Sequence, residues 1–394
     1  MINEKMRVLG AKRSVIRELF EYGRARKAEI GADNVFDFSL GNPSVAAPES
    51  VNRELVSIIE NESSILLHGY TSAQGDASVR SAIADYINKT QGESVTADCL
   101  YMTVGAAAAL TCSLTAVVSE GEEVIVPSPY FPEYKVFIER TGGSVVEVPC
   151  KDKTFALDVE AIGRAINERT AAIIINSPNN PTGAVFSEDN IIELCELLRK
   201  KEAELGHPIY LIADEPYREL VYDGVRVPYL TKYYDNTIVC YSYSKSLSLP
   251  GERIGYALVC PRMSDFISVY QAIAGAGRAL GFVCAPSLLQ KLLPRVLGES
   301  SDVSVYDTNR RLLMEKLEEY GIECVKPEGA FYLFVKSPSG DSAEFCERAK
   351  KYEILLVPSD DFGCKGYARL AYCVRTEQIE RALPAFKKLG ESYR

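Results

Sequence analysis

The chain has 394 residues, of which 47% are hydrophobic and 25% charged, and its formal net charge at pH 7 is −10. This length and composition are typical of a globular enzyme with two or three domains. The negative charge argues against nucleic acid or an anionic membrane as a partner recruited by bulk positive charge.

The eleven cysteines are scattered without a CxxC pair, so the sequence predicts neither a disulfide framework nor a metal site. This usage fits a reducing, cytoplasmic location. No apolar run is long enough to cross a bilayer, and we expect no membrane partner. There are only two histidines, His68 and His207, so any proton carrier is expected to be a lysine, a carboxylate or a tyrosine.

The N-terminal part predicts an amphipathic helix over 14–30, with Ser14 as its cap, and then a short strand before the Gly-Asn-Pro turn at 41–43. Strands then alternate with helices such as 187–204, for which Ser187 is the expected cap. The predicted strands lie in the segments 122–129, 143–150, 170–183, 208–217, 237–245 and 255–260. Continuous β-branched runs indicate strands that are covered on both faces, and the alternation indicates a mostly parallel α/β sheet.

The pattern of predicted helices and strands changes after residue 285. A helix is predicted at 309–321, followed by strands within 329–337 and 368–374 and a last helix. We therefore expect a large α/β domain of residues 46–285 and a smaller α+β domain. The smaller domain is expected to comprise residues 1–45 and 286–394.

Polar residues stand just beyond the ends of the apolar runs, namely Asn180, Asp214, Tyr217 and Lys245. In open α/β sheets, ligands bind at the carboxyl ends of the strands. The sequence therefore predicts a ligand site at this edge, whatever the family.

Lys245 has hydroxyl residues and an arginine close to it in the sequence. A phosphate would be bound by the hydroxyls of Ser242 and Ser244 together with the guanidinium of Arg253. A second anion site is expected where Gly105 precedes an alanine-rich helix, because the first N–H groups of a helix are free.

Four short strings resemble the class I/II aminotransferases, the aspartate-aminotransferase family of pyridoxal-phosphate enzymes of fold type I. They are NSPNNPTG at 176–183, DEPY at 214–217, SYSKSLSLPGERIGY at 242–256 and ARLA at 368–371. Their order and spacing over nearly the whole chain carry the resemblance. It implies pyridoxal 5′-phosphate as cofactor, an amino acid and a 2-oxo acid as substrates, and a homodimer with shared active sites.

The resemblance also implies roles for single residues. Lys245 would form the Schiff base with the cofactor and move the proton at the substrate Cα, and Asp214 would hold the pyridine nitrogen in its protonated form. Asn180 and Tyr217 would hydrogen-bond the phenolic oxygen of the ring, and Tyr130 would stack on the ring.

The remaining implied contacts concern the phosphate and the substrate. Arg369 would clamp the α-carboxylate, with Gly41 and Asn180 beside it. Tyr70 would reach the phosphate from the other subunit. The phosphate contacts within one subunit would come from Gly105, Ala106, Ala107, Ser242, Ser244 and Arg253.

The substrate is left open by the sequence. Some relatives carry a lysine after the phosphate-loop glycine that reaches a distal carboxylate, but residues 106–109 are all alanine here. Arg278, which lies 33 positions after Lys245, is a candidate for a distal-carboxylate contact donated across the dimer. Aspartate or glutamate with 2-oxoglutarate is one expected pair, and a carbon–sulfur β-lyase on the same fold is the alternative. A regulator with this fold is disfavoured, because about 35 residues precede the first motif, too few for a DNA-binding domain.

Overall fold

The computed structural model of the protein describes residues 2–11, 15–151 and 153–394. Ser14, the expected helix cap, lies outside the described residues. Within the described ranges, no helix is both long and apolar enough to cross a membrane.

The described residues form fifteen α-helices and thirteen β-strands. The helices are α1 Glu4–Ala11, α2 Val15–Ile30, α3 Glu49–Asn61, α4 Ser64–His68, α5 Ala77–Gln91, α6 Ala106–Val117, α7 Glu133–Arg140, α8 Val159–Ala165, α9 Glu188–Leu205, α10 Tyr243–Ser246, α11 Phe266–Leu280, α12 Ser287–Val296, α13 Val303–Glu319, α14 Ser342–Lys350 and α15 Thr376–Glu391. The strands are β1 Phe36–Asp37, β2 Leu100–Thr103, β3 Glu123–Ser128, β4 Ser144–Pro149, β5 Thr170–Asn176, β6 Tyr210–Asp214, β7 Thr237–Ser242, β8 Gly255–Val259, β9 Cys324–Val325, β10 Tyr332–Lys336, β11 Ile354–Leu355, β12 Val357–Pro358 and β13 Tyr367–Ala371.

Seven strands form the main sheet in the order β2-β8-β7-β6-β5-β3-β4. All neighbours are parallel except that β8 runs antiparallel to both β2 and β7. Alternate residues of β5 belong to different cores, because Ile173 and Ile175 pack on one face and Ile174 on the other. The predicted mostly parallel sheet covered by helices is thereby confirmed.

The C-terminal part contains an antiparallel sheet in the order β12-β13-β10-β9. Helices α13, α14 and α15 contribute to its core, whose residues include Phe331, Phe345 and Phe386. The N-terminal segment joins this part, because β1 pairs in parallel with β11 and Leu19 of α2 packs on Val357 and Phe362. The chain therefore has a smaller α+β unit, as the sequence predicted.

The boundaries at 45/46 and 285/286 stay predictions. Helix α12 packs against α3, α4 and α5, and its residues Leu292 and Leu293 belong to a core of the main sheet. This packing favours a second boundary after α12.

Side-chain caps set where two of the predicted helices begin. Ser187 caps α9, because its side chain accepts a hydrogen bond from the backbone N–H of Asn190. The helix predicted at 309–321 begins earlier, at Val303, because the side chain of Asp302 accepts from the N–H of Ser304 and caps it there. This cap was not expected from the sequence.

Candidate active site

The candidate site lies at the carboxyl edge of the main sheet. Strands β5, β6 and β7 are neighbours, so Asn180, Asp214 and Lys245, which stand at or just beyond their ends, come together. Strand β8 runs in the opposite direction, so Arg253, just before its start, lies at the same edge. Gly105 reaches this edge as well, because β2 is antiparallel to β8.

Lys245 sits on the short helix α10, and its Nζ donates a hydrogen bond to the carbonyl oxygen of Gly41 at 2.7 Å. Burial lowers the pKa of Lys245 to about 8, and the nearby cations Arg253 and Arg369 act in the same direction. A substantial fraction of the amine is therefore neutral near physiological pH. A neutral amine is what attack on a carbonyl carbon requires.

The phosphate-binding residues of the sequence analysis do come together. The Oγ atoms of Ser242 and Ser244 are 2.7 Å apart, and Nη1 of Arg253 donates to Ser244 Oγ at 3.4 Å. Gly105 has φ +88° and precedes α6, and a Cβ built on it would lie 2.6 Å from Arg253 Nη2. The arginine is exposed, so an anion can reach it together with the free N–H groups of Ala106 and Ala107 in the first turn of α6.

Asp214 is buried, and its two oxygens have different surroundings. Oδ2 accepts hydrogen bonds from the Tyr134 hydroxyl and from Asn176 Nδ2, whereas Oδ1 has no partner. Burial raises the pKa of Asp214 to about 7, and the Tyr134 hydrogen bond acts against this rise. An orphaned carboxylate oxygen in a buried site fits a protonated ring nitrogen, which would restore its ionised form.

Arg369 lies on β13 and is 2% exposed. Its Nη1 donates to Asn180 Oδ1 at 3.1 Å and its Nη2 to the carbonyl of Ser39 at 2.7 Å, but its Nε has no partner. Among the described residues, it forms no salt bridge with a carboxylate. A buried guanidinium without a counter-ion is costly, and an external carboxylate would supply the missing negative charge.

Tyr217 is buried, and its hydroxyl lies 2.9 Å from the hydroxyl of Tyr332. The ring of Tyr332 also stands 4.7 Å from the guanidinium of Arg369. A Cβ added to Gly41 would lie only 2.1 Å from the Tyr332 hydroxyl, so this glycine allows the close approach. Tyr332 therefore connects the predicted residues Tyr217, Gly41 and Arg369.

Tyr130 occupies a different environment from the one expected of it. Its hydroxyl donates to Glu147 Oε1 at 2.8 Å, and its ring stacks on Tyr134 rather than lying open at the sheet edge. The neighbouring Phe131 is half-buried and meets Tyr134 edge-on at 5.7 Å. No contact supports the stacking role of Tyr130, which stays a prediction, and Phe131 is the alternative.

Tyr70 and Arg278 stay apart from the other residues within this chain. Tyr70 is 98% exposed, and the side chain of Arg278 is exposed and forms no hydrogen bond or ion pair in the described ranges. Their segments are linked, because Cys284 Sγ donates to the carbonyl of Thr71, directly after Tyr70. Both residues therefore belong to the outer surface.

Three residues of this site were missed from the sequence. Tyr134, Asn176 and Tyr332 each contact a predicted site residue. Asn176 opens the quoted string at 176–183, so the motif already contained it. For Tyr134 and Tyr332 no local signal distinguishes a site tyrosine from a core tyrosine.

Comparison with known proteins agrees with this geometry. The profile of the family "Aminotransferase class I and II" matches residues 33–386. An aminotransferase crystal structure from Eubacterium rectale is 53% identical, covers 100% of this chain and 99% of its own, and has a TM-score of 0.98. The aspartate/prephenate aminotransferase of Thermus thermophilus is 33% identical over 81% of this chain and 83% of its own length. Aromatic-amino-acid aminotransferase 2 of Thermococcus litoralis is 28% identical over 95% of each chain.

Proposed function

Because the chain belongs to the class I and II aminotransferases, which depend on pyridoxal 5′-phosphate, we propose that it exchanges the amino group of aspartate or glutamate with a 2-oxo acid, 2-oxoglutarate being the expected acceptor. The observation that carries the proposal is Arg369, a buried cation whose Nε is free to receive an α-carboxylate. The name of the Thermus relative supports an acidic substrate.

The chain's own residues supply binding, orientation and proton transfer. The cofactor, when bound, acts as the electron sink for the substrate Cα. Arg369 would hold the α-carboxylate of the substrate, and Asp214 Oδ1 would accept from the ring nitrogen. The Tyr217 hydroxyl, which is paired with that of Tyr332, would hydrogen-bond the phenolic oxygen. Lys245 would carry the proton at Cα, because its lowered pKa of about 8 suits both gain and loss of a proton near neutral pH.

We place the distal carboxylate of the substrate at Arg278 of a second copy of the chain. An exposed arginine without an ion pair is free to bind a carboxylate. Around Tyr70, the surface carries exposed apolar side chains, with Ile65 at 85% and Leu66 at 73% exposure. A cluster of this kind supports a homodimer in which Tyr70 and Arg278 reach the partner's site.

The substrate is tested by absorbance of the loaded enzyme with single amino acids and no oxo acid present. Loss of the visible band with aspartate or glutamate is expected. Arg278→Ala should raise the half-saturating aspartate concentration about tenfold or more, as loss of a charge-assisted contact does, and leave leucine unchanged. Arg24→Ala, which removes an exposed arginine of α2, is the control.

Other outcomes would contradict the proposal in separate ways. Unchanged aspartate kinetics in Arg278→Ala would remove the distal contact. A band lost only with aromatic or aliphatic amino acids would replace the donor. Pyruvate released from cystathionine while the band persists would identify the β-lyase instead.

The shared site is tested with hybrid dimers. Mixing Tyr70→Phe subunits with Lys245→Ala subunits should restore activity, because one site of each hybrid then has an intact lysine and an intact tyrosine from the partner. No restoration, or an active monomer, would contradict the cross-subunit role of Tyr70. The predicted cytoplasmic location stays a prediction; the free state of all eleven cysteines supports it.

A further inference from the structure

A second cavity lies behind the loops that carry the cofactor-site residues. Along β7, Cys240 belongs to the core on the α6 side of the sheet, and Tyr241 belongs to the core on the opposite side. Because side chains alternate along a strand, Ser242 points to the side of Cys240. Tyr241 instead lines a cavity of about 590 Å³ on the other side of the sheet.

The size and lining of this cavity suit a small molecule. Ligand sites commonly have volumes of roughly 300–1,000 Å³ and aromatic walls with a few polar groups. Tyrosines dominate the wall, namely Tyr86, Tyr229, Tyr233, Tyr241, Tyr243 and Tyr256. None of the residues to which we assign a role in the cofactor or substrate site lines it.

Two polar residues of the wall have unsatisfied atoms. The hydroxyl of Tyr229, a residue only 4% exposed, has no hydrogen-bond partner. Glu219 uses Oε1 to accept from the Tyr241 hydroxyl at 2.9 Å, but its buried Oε2 has no partner. Buried polar atoms without partners are rare and costly, which makes these two atoms candidate contacts for a bound molecule.

The charges around the cavity favour an anion at its mouth. Arg226 and Lys232 line the cavity, are exposed, and their side chains form no ion pair or hydrogen bond in the described part of the chain. Arg218, deeper in the wall, is already neutralised by Glu215. Glu188 accepts a hydrogen bond from the neutral Tyr233 hydroxyl and keeps its negative charge, but no salt bridge joins it to Arg226 or Lys232 among the described residues. Both cations therefore remain available.

We propose that this cavity is a second ligand site for a small aromatic carboxylic acid that carries a polar group opposite its carboxylate. The carboxylate lies at Arg226 and Lys232, and the ring packs among the tyrosines. The opposite polar group satisfies Glu219 and Tyr229. Binding at this site does not depend on which amino acid the enzyme uses.

The occupied cavity acts on the cofactor lysine through Tyr241. The Tyr241 hydroxyl is bonded to Glu219 and also lies 3.1 Å from Ser246 Oγ. Ser246 directly follows Lys245 on α10. A ligand that hydrogen-bonds Glu219 changes how strongly this carboxylate holds the Tyr241 hydroxyl, and so changes the hydrogen bond between Tyr241 and Ser246.

Calorimetric titration of the holoenzyme with 4-hydroxybenzoate tests binding. Because a carboxylate can also enter the substrate site, the titration is repeated in Arg369→Ala, where binding to the cavity should persist. Arg226→Ala/Lys232→Ala should weaken that binding about tenfold or more. The control Arg24→Ala/Lys89→Ala removes the same charge at exposed positions that do not line the cavity and should leave binding unchanged.

Three results would overturn the proposed site. They are no saturable binding below about 10 mM, loss of all binding in Arg369→Ala, or equal affinity in the Arg226→Ala/Lys232→Ala protein and its control. Tyr229→Phe, which keeps the wall apolar and filled, should weaken binding severalfold through the lost hydroxyl. Unchanged affinity in Tyr229→Phe would contradict the contact at that hydroxyl.

The coupling has its own readout. In the Arg369→Ala holoenzyme, 4-hydroxybenzoate should shift the pH midpoint of the cofactor's visible absorbance, and Ser246→Ala should abolish the shift while binding remains. Saturable binding with no spectral change would refute the coupling. A shift that survives in Ser246→Ala would refute the route through Tyr241 and Ser246.

Discussion

Tyr134→Phe is the sharpest test of how the chain prepares Asp214 for the cofactor. The substitution removes only the hydroxyl that donates to Asp214 Oδ2 and keeps the buried ring. A hydrogen bond to a charged group contributes about 1.5–3 kcal/mol. At about 1.4 kcal/mol per pKa unit, its loss should raise the pKa of Asp214 further above its value of about 7, by roughly one to two units.

The consequence of Tyr134→Phe concerns cofactor affinity. A carboxyl that keeps its proton at neutral pH cannot stabilise a protonated ring nitrogen, so the dissociation constant of pyridoxal phosphate at pH 7 should rise about 10–100-fold. Equilibrium dialysis between pH 6 and 9 should show that raising the pH recovers part of the loss. Tyr130→Phe is the matched control, because it removes a buried tyrosine hydroxyl that donates to Glu147 and not to Asp214.

Equal cofactor affinity in Tyr134→Phe and Tyr130→Phe across this pH range would refute this role of the Tyr134 hydroxyl. The cofactor-free protein gives a second check on the sign. Its Asp214 binds a proton more tightly when folded than when unfolded, so the stability from this group is present at low pH and is lost as the pH rises from about 4 to about 7. Loading with the cofactor should offset that loss.

Three further outcomes are expected. The rate of cofactor binding by the apoenzyme should rise with pH through about 8 and then level off, because Lys245 reacts as the neutral amine. A rate that continues to rise up to pH 10.5 would contradict the lowered pKa of Lys245. Gly105→Ala should weaken cofactor binding at least about tenfold and lower the free energy of unfolding by about 1–3 kcal/mol, because φ is +88° and the new Cβ meets Arg253. Dialysis measures the cofactor affinity and calorimetry the stability, and wild-type values of both would disprove the strain. Tyr332→Phe should shift the pH midpoint of the cofactor absorbance by removing the partner of the Tyr217 hydroxyl, whereas an unmoved midpoint would leave Tyr332 a packing residue.

The main sheet and the edge at which the candidate site lies were both predictable from the sequence. The β-branched runs at 170–176 and 237–242 became strands buried on both faces, and their polar continuations met because neighbouring parallel strands end at one edge. The reversed strand β8 was not foreseen, but Arg253 was still assigned to the phosphate because it lies close to Ser242, Ser244 and Lys245 in the sequence.

The contacts missed within the candidate site are long-range. Tyr134 and Asp214 are 80 positions apart in the chain, and Tyr217 and Tyr332 are 115 apart. A tyrosine in an apolar segment looks the same in the sequence whether its hydroxyl meets a cofactor residue or a backbone carbonyl. The contact of the Tyr130 hydroxyl with Glu147, a carboxylate 17 positions away, was likewise not foreseen, and the ring contact expected of Tyr130 stays a prediction.

The position of the Arg369 side chain before substrate binds has a consequence for inhibition of the enzyme by other carboxylic acids. Its guanidinium is held by Asn180 and the carbonyl of Ser39 before any substrate arrives, so little has to be ordered when a carboxylate binds. Any small carboxylic acid that enters the active site therefore meets the same prearranged guanidinium, whether or not it can react. Unreactive carboxylic acids should therefore compete with the substrate for the proposed Arg369 contact, each according to its concentration and its affinity.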